Sequence, residues 1–235
     1  MTDMDFALDL KEAEERLSGL ALRHFRSRVE KAAHILEELT LLGIDPKVRL
    51  KVLCAGCGVG FVPYILARHT AWTYIGGDFD QAYIDRHPWV RQRIRILRLD
   101  LTAMPFPDDA FDLVICNHVI EHVPAWETLA RELHRVVRPG GLVYVATPNI
   151  YRPKVPLPIL LKSKKSLARD TRIALHLGFA VHELQAVFAH FSHLYNFNRT
   201  HAALNCPRLL QPLLPLLPDL VYDYFLPTNV IICRK

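Results

Sequence analysis

The sequence predicts an open α/β fold, a mostly parallel sheet with helices on its faces, and three observations carry that expectation. A short apolar run at Val52 and Leu53 leads into the loop of KVLCAGCGVG, where Gly56, Gly58 and Gly60 alternate ahead of a helix-compatible stretch, Phe61 to His69. Further apolar runs follow at Trp72–Gly77, Ile94–Leu99, Phe111–Cys116 and Leu142–Thr147, with a helical pattern between the last two. Two carboxylates, Asp78 and Asp100, stand at the ends of such runs, where open α/β sheets take their ligands.

Composition agrees with a globular chain. The 235 residues are 51% hydrophobic and 23% charged, enough to bury a core in one α/β domain with a modest elaboration. No uncharged apolar run reaches the roughly 18 residues of a membrane span. The acidic start, MTDMDFALDLKEAEERL, is unlike a secretory leader, and five cysteines, an odd number in apolar surroundings, point to a reducing cytoplasm. The net charge of +5 is uneven: residues 1–150 hold 18 Lys and Arg against 20 Asp and Glu, whereas 151–235 hold 11 against 4. A basic third of this kind suits an anionic substrate, a membrane surface or RNA, or is simply a solvated face.

Taken in order, residues 8–43 read as helical with a break at Ser18-Gly19. Beyond it Leu22, Phe25, Val29, Ala32, Ile35, Leu36 and Leu39 recur at helical spacing until Gly43 and Pro46 stop the run. The glycine loop supplies a tight turn and an approach to the main chain unobstructed by a Cβ, with the next helix directing its positive end at a ligand. Asp78, 20 residues beyond Gly58, is placed to accept from both hydroxyls of a ribose; capping of the next helix is the alternative, a job that Asp80 can also do. Asp100 can accept an adenine amine, and the amide of Leu101 can serve a ring nitrogen. Phe111 to Cys116 (FDLVIC) reads as a central strand buried on both faces, followed at once by Asn117-His118-Val119-Ile120-Glu121-His122. Trp126 to Val137 reads as an amphipathic helix closed by Pro139-Gly140-Gly141, before the strand Leu142–Thr147.

The loop GCGVG, Asp78, Asp100-Leu101, FDLVICNHVIEHV and RPGGLVYVATPN together resemble the class I S-adenosylmethionine-dependent methyltransferases, most closely the small-molecule branch related to the ubiquinone-biosynthesis O-methyltransferases. The resemblance covers about residues 50–150. It implies a Rossmann-like seven-stranded sheet in the order 3-2-1-4-5-7-6, the last strand antiparallel, with His193–Asn198 and Pro227–Arg234 as the final two strands and a lid-like insertion after strand 5. One methyltransferase domain over 1–235 is expected: a helical region 1–50, a cofactor core 51–150, a substrate lid 151–192 and a C-terminal part 193–235 with a Leu/Pro-rich segment.

By position, the resemblance assigns Gly56, Gly58 and Gly60 to the methionine portion of S-adenosylmethionine, Asp78 to the ribose, Asp100 and the Leu101 amide to the adenine, and Asn117 to the pocket beside the methyl, with Ala55, Cys57 and Phe79 also expected to bind the cofactor. Cys54 departs from the family, which usually has an acid there. It also makes Cys54-Ala55-Gly56-Cys57 a formal CxxC, for which a buried strand end argues against metal or redox use. A dinucleotide dehydrogenase would want glycine where Phe61 stands.

In-line methyl transfer needs alignment, exclusion of water and sometimes removal of an acceptor proton. His118, Glu121 and His122 are the catalytic candidates, sharing a face if their segment is helical. General base at His118, metal ligation by the three, and a purely structural hydrogen-bonded loop all remain open; no metal is assigned. His190 and His193 read as structural. LPILLKSKKSLARDTRIAL leaves peripheral membrane contact open, and the Leu/Pro-rich Arg208–Leu220 suits an acceptor wall, a homodimer contact or packing. The expected partner is a small, apolar or aromatic acceptor. An RNA or protein methyltransferase is the first alternative, disfavoured for nucleic acid because Lys162–Arg172 contains no aromatic residue; a catalytically silent cofactor-binding scaffold is the second.

Overall fold

A computed structural model of the chain describes residues 6–150, 178–205 and 227–235, together with 212, 216, 217, 221 and 222. Of the lid expected over 151–192, residues 151–177 lie outside the described residues, as does most of the Leu/Pro-rich segment. The chain is arranged in two units, Met1–Leu99 and Asp100–Lys235.

In the first unit the break at Ser18-Gly19 divides the helical stretch into α1 (Ala7–Arg16) and α2 (Gly19–Leu41). The apolar stripe of α2 is buried from Phe25 through Val29, Ala32, Ile35 and Leu36 to Leu39, because residues three and four apart share one helix face. Three strands follow: β1 (Lys51–Ala55), β2 (Thr73–Asp78) and β3 (Arg95–Arg98). They pair in parallel, Lys51 to Ala55 against Thr73 to Gly77 and Ile75 to Asp78 against Arg95 to Arg98. Their crossovers are α3 (Phe61–His69) and the short α4 (Gln81–Asp85) and α5 (Pro88–Arg91).

The acidic start has a specific partner that the sequence reading did not anticipate. Asp9 is buried on α1, with Arg68 Nε at 2.5 Å and His69 Nε2 at 2.6 Å, while Glu12 pairs with Arg68 and accepts from the Tyr64 hydroxyl at 3.1 Å. These acids tie α1 to α3.

In the second unit the central strand β4 (Phe111–Asn117) is followed by one 3-10 turn and by α6 (Trp126–Val136), whose Leu129, Ala130, Leu133 and Val136 are buried. The next strand starts earlier than expected. β5 runs Val137–Pro148, so Pro139-Gly140-Gly141 lies within the strand instead of closing the helix. Val137 already pairs with Phe111, the register then slips, and pairing resumes at Leu113 with Leu142. Gly140 takes φ +73, and a Cβ on Gly141 would stand 2.7 Å from the Asp112 carbonyl oxygen, which makes the pair the bulge residues.

The remaining elements are α7 (Val181–Val187), β6 (His193–Asn196), α8 (Asn198–Asn205) and β7 (Thr228–Arg234). β7 is antiparallel to both β5 and β6. Asn198 donates to Asn229 Oδ1 at 3.0 Å and accepts from the Val230 amide at 2.8 Å, and Asn229 donates to the Phe179 carbonyl at 2.7 Å. These buried amides satisfy one another, as burial requires. The sheet order is β3-β2-β1-β4-β5-β7-β6, the order that the resemblance implies.

Candidate active site

In the first unit the glycine loop is a backbone construction. Ala55 ends β1 buried, and the amides of Gly56 and Cys57 both donate to the Gly77 carbonyl, at 2.7 and 2.9 Å. The chain then coils through Gly58 to Gly60, whose amide donates to the Cys57 carbonyl at 3.0 Å. Gly60 caps α3 at φ +82, and a Cβ there would stand 2.5 Å from Ile96 Cδ1, so both conformation and space call for glycine.

Asp78, at the tip of β2, closes the loop. Its Oδ2 accepts from the Gly58 amide at 2.7 Å and its Oδ1 from the Asp80 amide at 3.0 Å. The helix-capping job weighed for Asp78 belongs to Asp80, whose Oδ1 accepts from Ala82 N at 2.8 Å at the start of α4. Phe79 is 67% exposed beside it, with the Arg98 guanidinium 5.6 Å above its ring.

The residues fit the adenosyl cofactor that the sequence implies. A carboxylate accepting two amide bonds keeps lone pairs for the two hydroxyl donors of a ribose. Among the described residues, its own chain neighbours aside, no heavy atom lies within 4 Å of where a Cβ on Gly58 would stand, so the loop leaves room above it. Cys54 is buried and its thiol pushed up by burial and then by Cys57; Cys57 is pushed up likewise, by burial and then by Asp78. Neither forms a disulfide, and such protonated thiols are inert, in line with the reading of the CxxC as packing. Phe61, where a dehydrogenase would want glycine, is buried and packs edge-on against Phe25 at 5.0 Å.

In the second unit Asp100 is exposed. Its Oδ1 accepts from the Thr102 hydroxyl at 2.7 Å and the Thr102 amide at 2.8 Å, and those two bonds hold its carboxyl below the ordinary range. Leu101 beside it is buried.

The segment after β4 is not the helix on which a shared face for His118, Glu121 and His122 depended. Asn117, half-buried, ends the strand paired with Ala146, and His118 turns into the left-handed region at φ 56 while its amide donates to the Ala146 carbonyl at 2.8 Å. Only Ile120–His122 is helical, as a single 3-10 turn. The side chains still meet, around one carboxylate. Glu121 is buried, its Oε1 3.5 Å from His118 Nδ1 and 3.9 Å from His122 Nε2, and its Oε2 accepts from the Thr147 hydroxyl at 3.1 Å. Burial pushes this carboxyl up, but the hydrogen bond and charge of His118, a backbone amide and the charge of His122 together hold it below the ordinary 4.5. Glu121 therefore faces inward, while the side chains of His118 and His122 are 27% and 49% exposed.

Thr147 is the residue that sequence reasoning missed. Its only signal was a hydroxyl at the end of an otherwise apolar strand. Among the described residues no group of three His, Cys, Asp or Glu side chains is arranged to hold a metal ion. His190 Nε2 lies 3.3 Å from the Ala130 carbonyl and His193 Nδ1 3.2 Å from Ser192 Oγ, which are structural contacts.

Residues 53–145 match the family described as methyltransferase domain. A probable S-adenosylmethionine-dependent methyltransferase of Mycolicibacterium smegmatis is 33% identical over 141 residues, 58% of this chain and 54% of that protein. The ubiquinone biosynthesis O-methyltransferase of Pseudomonas fluorescens is 32% identical over 128 residues, 51% of this chain and 54% of that protein. The chain thus spans about half the length of each of these relatives. A crystal structure of an S-adenosylmethionine-dependent methyltransferase from Mesorhizobium loti, 18% identical, matches with a TM-score of 0.59 over 88% of this chain and 100% of its own, which concerns the fold alone. These matches support the class I S-adenosylmethionine-dependent methyltransferases as the class of the core and S-adenosylmethionine as its cofactor. The ubiquinone-biosynthesis branch is one of several named similarities, since other relatives are named for malonyl-[acyl-carrier protein] and for sterols.

Proposed function

We propose that the chain transfers a methyl group from S-adenosylmethionine to a small, apolar or aromatic acceptor by in-line displacement. The observation that carries this reading is the bond from the Gly58 amide to Asp78. It joins a glycine loop to a strand-tip carboxylate, which is the pairing of features that an adenosyl ligand needs. When bound, the cofactor supplies a methyl group on a positively charged sulfur, already activated for attack.

The chain's own residues then have limited work. Ala55, Gly56, Cys57, Gly58 and Gly60 would line the methionine portion, Asp78 with Phe79 would hold the ribose, and Asp100 with the Leu101 amide would hold the adenine. Asn117 would line the pocket. His118 and His122, partly exposed and oriented through Glu121, are the groups that would receive an acceptor proton, with Glu121 a positioning residue.

Calorimetric titration with S-adenosylhomocysteine, with NAD as control, tests the cofactor reading. Micromolar binding of the first alone is expected, and binding of NAD alone or of neither overturns it. Cys54, where relatives of this class usually carry an acid, favours a second reading, a silent cofactor-binding scaffold. Single-turnover assays across O-, N- and C-acceptors separate the two, because a scaffold retains binding and shows no transfer. The RNA or protein methyltransferase reading rests on the basic stretch around Lys162–Arg172, outside the described residues.

A further inference from the structure

Beside the glycine loop the first unit gathers positive charge. On α2, His24, Arg28 and Lys31 follow at i, i+4 and i+7 and therefore share one face. The link between α4 and α5 brings up Arg86 and His87. Phe61 sits between the two groups, its ring centroid 5.6 Å from that of His24 and 4.9 Å from that of His87, the latter stacked at 28°. Trp89 closes the aromatic side, 6.0 Å from Phe61.

These charges lie close enough to act on one another. Burial first, then Arg28, His87, Lys31 and Arg86 in turn, lower the pKa of His24, and burial followed by Arg86 lowers that of His87. Arg28 is half-buried, and burial alone lowers its pKa, with no carboxylate acting against it. Among the described residues His24, Arg28, Arg86 and His87 enter no ion pair. Asp85, the acid next to Arg86, is taken by Arg91 at 2.9 Å and by Gln81 at 2.8 Å.

A half-buried guanidinium ordinarily has an anionic partner, since desolvating it uncompensated is costly. Here the planar fork of Arg28 and the two imidazole edges offer donors suited to an oxyanion. His24 and His87 come from two elements and flank one aromatic ring, a spacing that suits one small group better than an extended polyanion. Phe61 directly follows Gly60, so the cluster adjoins the loop assigned to the methionine portion of the cofactor.

We infer that His24, Arg28, Arg86 and His87 form a subsite for the carboxylate or phosphate end of a small acceptor, whose apolar part lies against the neighbouring aromatic rings. Calling the ligand an acceptor rests on the methyltransferase reading; the anion site itself does not.

The test is an NMR titration of the imidazole resonances of His24 and His87 with inorganic phosphate and, separately, acetate, against sodium chloride at matched ionic strength. Saturable shifts at both histidines with phosphate, acetate or both are expected, and the more effective ion identifies the acceptor's anionic group. In Arg28→Met the affinity should fall about tenfold or more. The exposed His24→Gln variant, which leaves Arg28 in place, should retain the His87 response with weakened affinity. Shifts no larger than those with chloride, or unchanged affinity in Arg28→Met with its fold intact by circular dichroism, overturn the subsite. S-adenosylhomocysteine calorimetry on the same samples separates the two readings: cofactor binding without anion response sinks the subsite alone, and anion response without cofactor binding sinks the methyltransferase reading alone.

Discussion

The candidate residues of the two units are arranged on opposite principles. In the first unit the chemistry is carried by the main chain: glycine amides turned into a loop, fixed by one carboxylate that accepts from the Gly58 and Asp80 amides. In the second unit it is carried by side chains, with a buried glutamate collecting two imidazoles and a hydroxyl behind β4. A backbone site tolerates change in neighbouring side chains but not in its glycines. A side-chain site is fixed by its buried member, so its stability and its chemistry are coupled.

Replacing Glu121 should break that contrast most visibly. Glu121→Ala removes the shared partner of His118, His122 and Thr147 from a buried position and is expected to lower unfolding stability by about 3 kcal/mol, measured in urea. The pH dependence has a definite sign. A carboxyl whose folded pKa lies below its unfolded value contributes stability above about 4.5, lost as pH falls through the lower folded value. The stability gap between the native chain and Glu121→Gln should therefore be complete at neutral pH and shrink in acid.

Asp78→Ala makes the complementary break, weakening S-adenosylhomocysteine by about 1–3 kcal/mol in calorimetry. Thr147→Val sharpens the comparison by removing one bond to Glu121, at about 1 kcal/mol in the same urea assay. Phe79→Ala is the mildest. An exposed ring contributes little to folding, so stability should stay within about 0.5 kcal/mol while cofactor affinity falls a fewfold.

Much of this contrast could be read from the residues. Gly56, Gly58, Gly60 and Asp78 were legible because a positive-φ loop and a strand-tip carboxylate constrain residue type at fixed spacing. The stripe on α2 and the buried run of β4 were legible from their periods. Three features were not, for physical reasons. The bulge at Gly140-Gly141 looks in sequence like a helix stop, since both need glycine. The single turn at Ile120–His122 was hidden because His-x-x-Glu-His suits a helix face as well as a loop closed on one carboxylate. Thr147, Asp9 and the basic cluster around Arg28 depend on which residues distant in sequence become neighbours, and periodicity within one element carries no such information.

The position of β7 in the sheet also sets an order of assembly. β6, residues 193–196, pairs with β7, which joins it to β5, yet β7 comes some thirty residues later in the chain. β6 therefore enters the native sheet only once β7 has docked on β5, and both strands belong to one cooperative step built on non-local contacts, which are slow to form. Amides of β6 should never outlast those of β7 in hydrogen exchange, and loss of the later strand would release both.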